Sequence, residues 1–443
     1  MNARPQANWA GNIAFTAPGF YRPATVSELQ LAVAKASRIR VLGTGHSFND
    51  LADSPGAQVS LAGLAPEVSV DSAARVARVA AGLSYAELAV RLDAHGFALR
   101  NLASLPHISV AGATATATHG SGAANQNLSA AVAGLTLVTA DGDLAELRRG
   151  DAGFDGAVVH LGALGAVVSL LLDLVPSFDV SQRVYENLPL DVLDDHFTDL
   201  MTSGYSVSLF TDWQAPRLTQ LWIKQLAAAV PPAAVPPAAV PPAAVPPAAA
   251  VAAVPAVTRA PWFTATPAPA ARHPVPGASP DACTQQLGVP GRWYDRLPHF
   301  RPGFRPSAGD ELQSEYLLPV AHAVPALHAL DQIRDRLAPV LQICEIRLVA
   351  ADRLWLSTSY RQDSVAVHFT WIADPARVLP AVGQVEQALA PFTPRPHWGK
   401  IFTTPAEDLR ARYERLPAFL DLIRSFDPSG KFRNAYTDRY LGS

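Results

Sequence analysis

The chain has 443 residues, 49% of them hydrophobic, and a net charge of -3. That length and apolar content can fill two ordinary cores, so two domains are expected. The near-neutral balance excludes a polyanion such as nucleic acid as the main partner. Two cysteines occur, Cys283 and Cys344, and neither lies in a Cys-x-x-Cys pair. This excludes a disulfide framework and a cysteine zinc site, and it fits a reducing compartment. No basic segment followed by an apolar core opens the chain, and the run from Leu161 to Leu172 is short of the roughly 20 residues that cross a bilayer. A soluble, cytoplasmic protein without a membrane partner is expected.

Thr25-x-x-Glu28 reads as a capping box that opens an amphipathic helix through about Ser37. A buried strand, Ile39-Arg40-Val41-Leu42-Gly43, then runs into Thr44-Gly45-His46-Ser47-Phe48-Asn49. Glycine admits positive φ and lets backbone N–H groups point outward, so such a loop can cradle a phosphate. It lacks the G-x-x-x-x-G-K-[ST] pattern, and Phe48 stands where a Rossmann fingerprint needs its third glycine. A phosphate nest with a histidine at its apex points to another kind of dinucleotide site; an ordinary loop histidine is the alternative for His46. Ser84-x-x-Glu87 caps a second helix that ends at Gly96. Small residues dominate from Ala103 to Gly122, which also holds His107 and His119; they allow close backbone approach to something flat or extended.

Asp141-Gly142 reads as a hairpin turn between Leu135–Thr139 and Leu144–Leu147, and Leu161 to Val175 as buried sequence. Composition breaks at 225–272, where Val-Pro-Pro-Ala-Ala repeats four times from Val230. Proline this dense forbids helix, so an inserted loop of polyproline or disordered type is expected, outside the core. A Pro-rich docking arm is the alternative, but charges and aromatics of the usual kind are missing from it. A helix over 323–337, strands over 341–349 and 364–372, a helix over 408–424 and a compact tail at 431–436 complete the reading.

Side chains on a strand alternate faces. One face of 341–349 carries Glu345 and Arg347, and one face of 364–372 carries His368 and Thr370, while the opposite faces are apolar or nearly so. If the polar faces meet, those four residues line one surface suited to several hydroxyl groups. A Glu–Arg pair that only fixes sheet geometry is the alternative. Lys400 follows in His397-Trp398-Gly399-Lys400. The chain has only four lysines, and lysine can lose its proton whereas arginine in practice cannot. No histidines sit at i, i+4 around an acid and no G-x-S-x-G occurs, so neither a metal site nor a serine hydrolase is expected.

Val41-Leu42-Gly43-Thr44-Gly45-His46-Ser47-Phe48-Asn49, Ala103-Ser104-Leu105-Pro106-His107-Ile108-Ser109-Val110-Ala111-Gly112 and Ala117-Thr118-His119-Gly120-Ser121-Gly122 resemble the FAD-binding half of the vanillyl-alcohol-oxidase type. With Asn8-Trp9-Ala10-Gly11-Asn12, Cys344-Glu345-Ile346-Arg347, His368-Phe369-Thr370-Trp371 and His397-Trp398-Gly399-Lys400, the match is to the alditol (xylitol) oxidase branch, from Asn8 to about Tyr436. The resemblance implies an α+β fold: an FAD-binding domain of residues 1–178 plus 402–443, and an α+β cap domain of 179–401. It implies FAD joined covalently to His46, with Val41 to Ser47 wrapping the pyrophosphate. Ser104, Ser109, Gly112, Ala113, Thr114, Ala115, Thr116, the backbone near Ala166 and His397 would complete the cofactor site. Ser104, Glu345, Arg347, Thr370 and Lys400 would hold the polyol, and Lys400, alone or with His368, would take the proton of the C1 hydroxyl. The implied activity is oxidation of a terminal alditol hydroxyl with O2 reduced to H2O2, by a monomer. A sugar-1,4-lactone oxidase or dehydrogenase shares the flavin domain and the His-Trp-Gly-Lys element, and a non-catalytic flavin-fold binding protein is the reading from a different class.

Overall fold

The two helix starts read from Ser/Thr-x-x-Glu patterns carry side-chain caps. In the computed structural model, which describes residues 6–227, 264–303 and 310–442, Thr25 accepts from the backbone of Glu28 ahead of α1 (Val26–Lys35), and Ser84 forms a reciprocal capping box with Glu87 ahead of α2 (Tyr85–Ala94). β2 (Ile39–Val41) lies in a parallel three-stranded sheet with β3 (Ala57–Val59) and β1 (Gly19–Tyr21). β4 (Val68–Asp71), β5 (Val76–Ala80), β9 (Ala166–Asp173), β7 (Val132–Val138) and β8 (Leu144–Arg148) form an antiparallel sheet in that spatial order. Gly142, at φ +88°, closes the β7–β8 hairpin by donating to the carbonyl of Thr139. β6 (Phe97–Ala98) pairs with β10 (Val175–Pro176). α3 (Val110–Ala115) forms inside the small-residue run, and α4 (Phe154–Ala157) precedes β9.

The second large sheet begins with β11 (Asp179–Pro189) and includes β12 (Ser206–Thr211), β13 (Arg217–Leu226), β16 (Glu311–Pro319), β17 (Leu341–Val349) and β18 (Ser364–Ile372). Its order is β14-β11-β13-β12-β17-β18-β16-β19, with the short strands β14 (Thr266–Pro267) and β19 (Arg395–Pro396) at its ends and β15 (Gly291–Arg292) also paired to β11. α5 (Val192–Met201), α6 (Ala323–Asp331), α7 (Arg334–Leu337) and α8 (Pro375–Leu389) pack their apolar faces into the same core as this sheet. α9 (Ala406–Ala411), α10 (Leu416–Phe426) and α11 (Ala435–Leu441) instead place Leu409, Leu416, Phe419 and Tyr436 in the core that holds α1, α2 and β9. Among the described residues no helix is long and apolar enough to cross a membrane.

Three expected boundaries shift. The helix read over 408–424 is two helices, because Pro417 has no N–H for an interior hydrogen bond and serves instead in the first turn of α10. The helix read over 323–337 is likewise divided into α6 and α7, with Ile333 between them at φ -109°, ψ 8°. Strand β2 stops at Val41 rather than Gly43, freeing the glycine for the loop. Residues 228–263 of the Pro/Ala-rich stretch lie outside the described residues.

Arg40 joins distant segments. It is 2% exposed, and its guanidinium donates to the carbonyls of Leu51, Leu161, Gly162 and Phe432 at 2.6 to 2.8 Å. Burial lowers its pKa to about 10, only partly offset by Tyr436, Asp427 and Asp50, so the charge is held by peptide dipoles more than by acids. Arg40→Leu strands these carbonyls in the interior. A urea denaturation curve is expected to show a loss of about 3 kcal/mol or more, and a loss below about 1 kcal/mol would show that the carbonyls find other donors.

Candidate active site

The loop after β2 is fixed from two sides. Trp9 donates its backbone N–H to the Gly45 carbonyl at 2.8 Å, and the Asn8 and Asn12 side chains donate to the carbonyls of Ser47 and Phe48 at 2.9 and 2.8 Å. From the other side, the Phe48 N–H donates to the Gly399 carbonyl at 2.8 Å, and Asn49 donates to the carbonyls of Trp398 and Lys400 at 2.8 and 2.9 Å. Gly45 takes φ +71°, the left-handed region that favours glycine. His46 stacks on Trp9 with ring centroids 4.9 Å apart and tilts against His107 at 4.5 Å.

A cavity of about 400 Å³ separates this loop from the second sheet. A smaller one of about 120 Å³ shares Val41, Gly43, Thr44, Ser109, Gly112 and Ala115 with it and continues past Ser60, Gly82 and His160. Glycines line the neck they share: a Cβ on Gly43 or Gly112 would stand 2.5 or 2.7 Å from the Ser109 hydroxyl oxygen. A long, flat-ended dinucleotide fits two linked chambers joined by a glycine neck. Of the residues expected to hold the cofactor, Leu42 lines only the smaller chamber, while Thr114 and Ala166 line neither. Thr114 turns its hydroxyl back to the Ala111 carbonyl at 3.1 Å, and Ala166 is buried in β9 while its neighbours Gly165 and Val167 form the wall. The others, from Val41 through Ser47, Ser104, Ser109, Gly112, Ala113, Ala115, Thr116 and His397, line the larger chamber.

The sheet face opposite is polar because the alternation places it so. β17 and β18 pair antiparallel with Glu345 opposite His368 and Ile343 opposite Thr370, so the two polar faces meet on the cavity. β16 adds a third row that sequence reasoning missed: Gln313 lies opposite Thr370 and Glu315 opposite His368, and Glu311, Gln313 and Glu315 all face the cavity. The spacing Glu311-x-Gln313-x-Glu315 was the available signal. Glu315, 2% exposed, stands 2.5 Å from the Arg347 guanidinium, 3.2 Å from His119 Nε2 and 3.5 Å from His368 Nδ1. Arg347 also lies 3.6 Å from Glu345 and 3.4 Å from the Ser104 hydroxyl.

Charge placement follows from burial and partners. Burial alone would raise Glu345 and Glu315; Arg347 with His299 outweighs it at Glu345, and His119, Arg347 and His368 outweigh it at Glu315, so both lie well below the usual carboxylate range. Glu311 has weaker help, from Gln313 and Lys400, and burial pushes it up to about 7. Burial lowers Lys400 to about 8, with Glu315 and Glu311 opposing. Its ammonium donates to Gln313 Oε1 and sits 5.0 Å from the Phe48 ring centroid. His397, buried, is lowered to about 3, and its Nδ1 accepts from the Gly399 N–H at 3.1 Å. It is therefore neutral, with the hydrogen on Nε2.

The sign for Glu315 is that of a depressed carboxylate. Its stabilisation is present above the unfolded carboxylate pKa, ~4.3, and is lost as pH falls through the lower folded value. Glu315→Gln is expected to cost about 3 kcal/mol or more at pH 7, because Arg347 loses a buried partner. The gap to the parent, read from denaturant midpoints, should narrow steadily as pH falls below about 5. A gap that stays constant over that range would contradict the assignment.

Residues 17–148 match the family described as FAD binding domain, and residues 310–440 match that described as D-arabinono-1,4-lactone oxidase. The chain is 51% identical to the alditol oxidase of a Streptomyces species, over 97% of this chain and 97% of that protein. It is 28% identical to the L-gulono-1,4-lactone dehydrogenase of Mycobacterium tuberculosis, over 98% and 99%. Among solved structures, cholesterol oxidase from B. sterolicum superposes with a TM-score of 0.75 at 14% identity, covering 98% of this chain and 96% of that one. That likeness shows the fold alone, an FAD-binding fold of mixed helices and sheets with a second domain. The identity over nearly the whole chain shows more: this chain belongs to the alditol oxidase family of FAD-binding oxidoreductases of the vanillyl-alcohol-oxidase type.

Proposed function

We propose that the protein uses FAD to oxidise the terminal primary hydroxyl of alditols such as xylitol and sorbitol to the aldose, with O2 reduced to H2O2. The observation that carries this reading is the polar sheet face. Glu345, Arg347, His368, Thr370 and Lys400 converge on one cavity, across from the His46 loop. A lactone reading is less well supported, since the relatives named for lactones are the more distant ones. In this reading residues 1–178 with 402–443 hold the cofactor and 179–401 form the cap. The protein works as a cytoplasmic monomer whose partners are a small polyol and O2.

When bound, FAD would accept the hydride leaving the carbinol carbon and pass the electrons to O2. His46 would be its covalent attachment point, and the loop 43–47 with Ser109 would hold its phosphates. The chain's own groups do the rest. Arg347 donates to substrate hydroxyls and Glu345 accepts from them, which orients the chain of the polyol and seats C1 toward Lys400. Thr370 and Ser104 can each donate or accept beside them. Lys400, with its pKa lowered to about 8, takes the hydroxyl proton from oxygen as the hydride leaves carbon. Gln313 holds the Lys400 amine in place, and His368, 3.3 Å from the Thr370 hydroxyl, completes the polar ring. His397 presents only a neutral N–H edge, so it orients without competing for the proton.

Lys400→Met is expected to retain flavin while losing roughly 10²- to 10⁴-fold in turnover with xylitol, followed by oxygen uptake. In the parent, kcat/KM should rise with pH through a limb near 8, where burial places the Lys400 ammonium. Normal turnover in the variant, or a flat profile across that range, would remove the proposed role. For the cofactor, acid precipitation is expected to leave yellow colour in the parent pellet and none in His46→Ala; colour released into the supernatant by the parent would refute the covalent link.

A further inference from the structure

Behind the sheet face lies a cation that the chemistry above does not use. Lys224, on β13, is 1% exposed and does not line the cavity. Its ammonium donates to the carbonyl of Leu297, to that of Pro298 at 3.1 Å, and to His299 Nδ1 at 3.2 Å. An ammonium has three hydrogens, and here it has three acceptors. His299 faces the other way with Nε2 at 2.7 Å from Glu345 Oε1.

We infer that Lys224 is a positioning residue: through His299 it fixes the carboxylate of Glu345 and thereby sets the affinity for the polyol. The inference rests on the reading that Glu345 binds substrate hydroxyls. Its core is a tautomer argument. A neutral imidazole has one donor and one acceptor nitrogen. Because Nδ1 accepts from Lys224, Nε2 carries the hydrogen and donates it to Glu345. The opposite tautomer would aim a lone pair at a carboxylate oxygen 2.7 Å away and leave the Lys224 ammonium one acceptor short. Rotation of the ring is blocked by Trp222 and Phe210, whose ring centroids lie 5.1 and 5.8 Å from it. The backbone is held as well: the N–H groups of His299 and Phe300 both donate to the Ser104 carbonyl, at 3.2 and 3.3 Å. Arg347, 3.6 Å away, is the other charged group facing Glu345 Oε1, and together these contacts leave the second carboxylate oxygen to the substrate.

The contact lies away from the hydroxyl that reacts, so it affects binding in ground state and transition state alike, and the expected signature is in KM rather than kcat. Purified holoenzymes carrying Lys224→Met, His299→Leu and His299→Gln, assayed with xylitol and checked for flavin content, test it. Loss of one buried hydrogen bond to a charged group predicts a KM about tenfold higher in Lys224→Met and His299→Leu, with kcat within about threefold and flavin retained. The amide of His299→Gln accepts from Lys224 and donates to Glu345, so its KM should return to within about threefold of the parent. The double variant should be no worse than His299→Leu alone, since both act along one chain of contacts. Parental KM in Lys224→Met, or His299→Gln as impaired as His299→Leu, would overturn the inference. If Lys224→Met does not accumulate, the two His299 variants decide the question. A parent inactive on xylitol would instead fail the functional reading on which the inference stands.

Discussion

Arg347 sits in the interior between two carboxylates, and the rest of the site is arranged to make that tolerable. Removing three charges from water costs several kcal/mol each, and the cost is recovered only if Glu315 and Glu345 stay at 2.5 and 3.6 Å from the guanidinium. Those distances require β16, β17 and β18 to hold one register, because a slip of one residue would turn every polar side chain into the apolar core. The same ion cluster therefore specifies the sheet and builds the polar face. Histidines complete it: His119, His299 and His368 each present a ring nitrogen to one of the two acids, so neither acid depends on water that a substrate would displace.

A second constraint ties this face to the loop across the cavity. Asn49 holds the carbonyls on both sides of Gly399, and Phe48 accepts no freedom either, since its N–H is bonded to Gly399 itself. His46 and Lys400 are thus carried by segments that move as one. Arg40 does the same for the base of the loop by gathering four carbonyls from three separate segments. A reaction that needs a donor carbon and an acceptor ring held in contact gains from such stiffness, since misplacement of 1 Å can cost on the order of 10²-fold in rate.

Much of this was readable from the residues. Strands 341–349 and 364–372 follow from alternation alone, and so does the prediction that Glu345, Arg347, His368 and Thr370 share a surface, because period-2 patterning is a direct record of which face is buried. A side-chain cap at Thr25 and a capping box at Ser84 fixed two helix starts through hydrogen bonds made within four residues. Long-range pairing was harder. Glu315 reaches its partners only because β16 lies next to β18 in space, although Glu315 and His368 are 53 positions apart in sequence. Lys224 and His299 are 75 positions apart, and nothing local marks either as buried. The glycine-and-histidine loop signalled a dinucleotide from chemistry, whereas the proposal that it holds a flavin came from resemblance.

Anaerobic mixing of the purified protein with xylitol, watched at the visible flavin band, tests the central claim most directly, because it asks whether this polar face delivers a polyol to the cofactor without requiring O2. The account predicts that the band bleaches with xylitol and returns on admission of air, while L-gulono-1,4-lactone leaves it unchanged at equal concentration. A band that bleaches with the lactone and is indifferent to xylitol would contradict it and transfer the same fold and site to lactone chemistry.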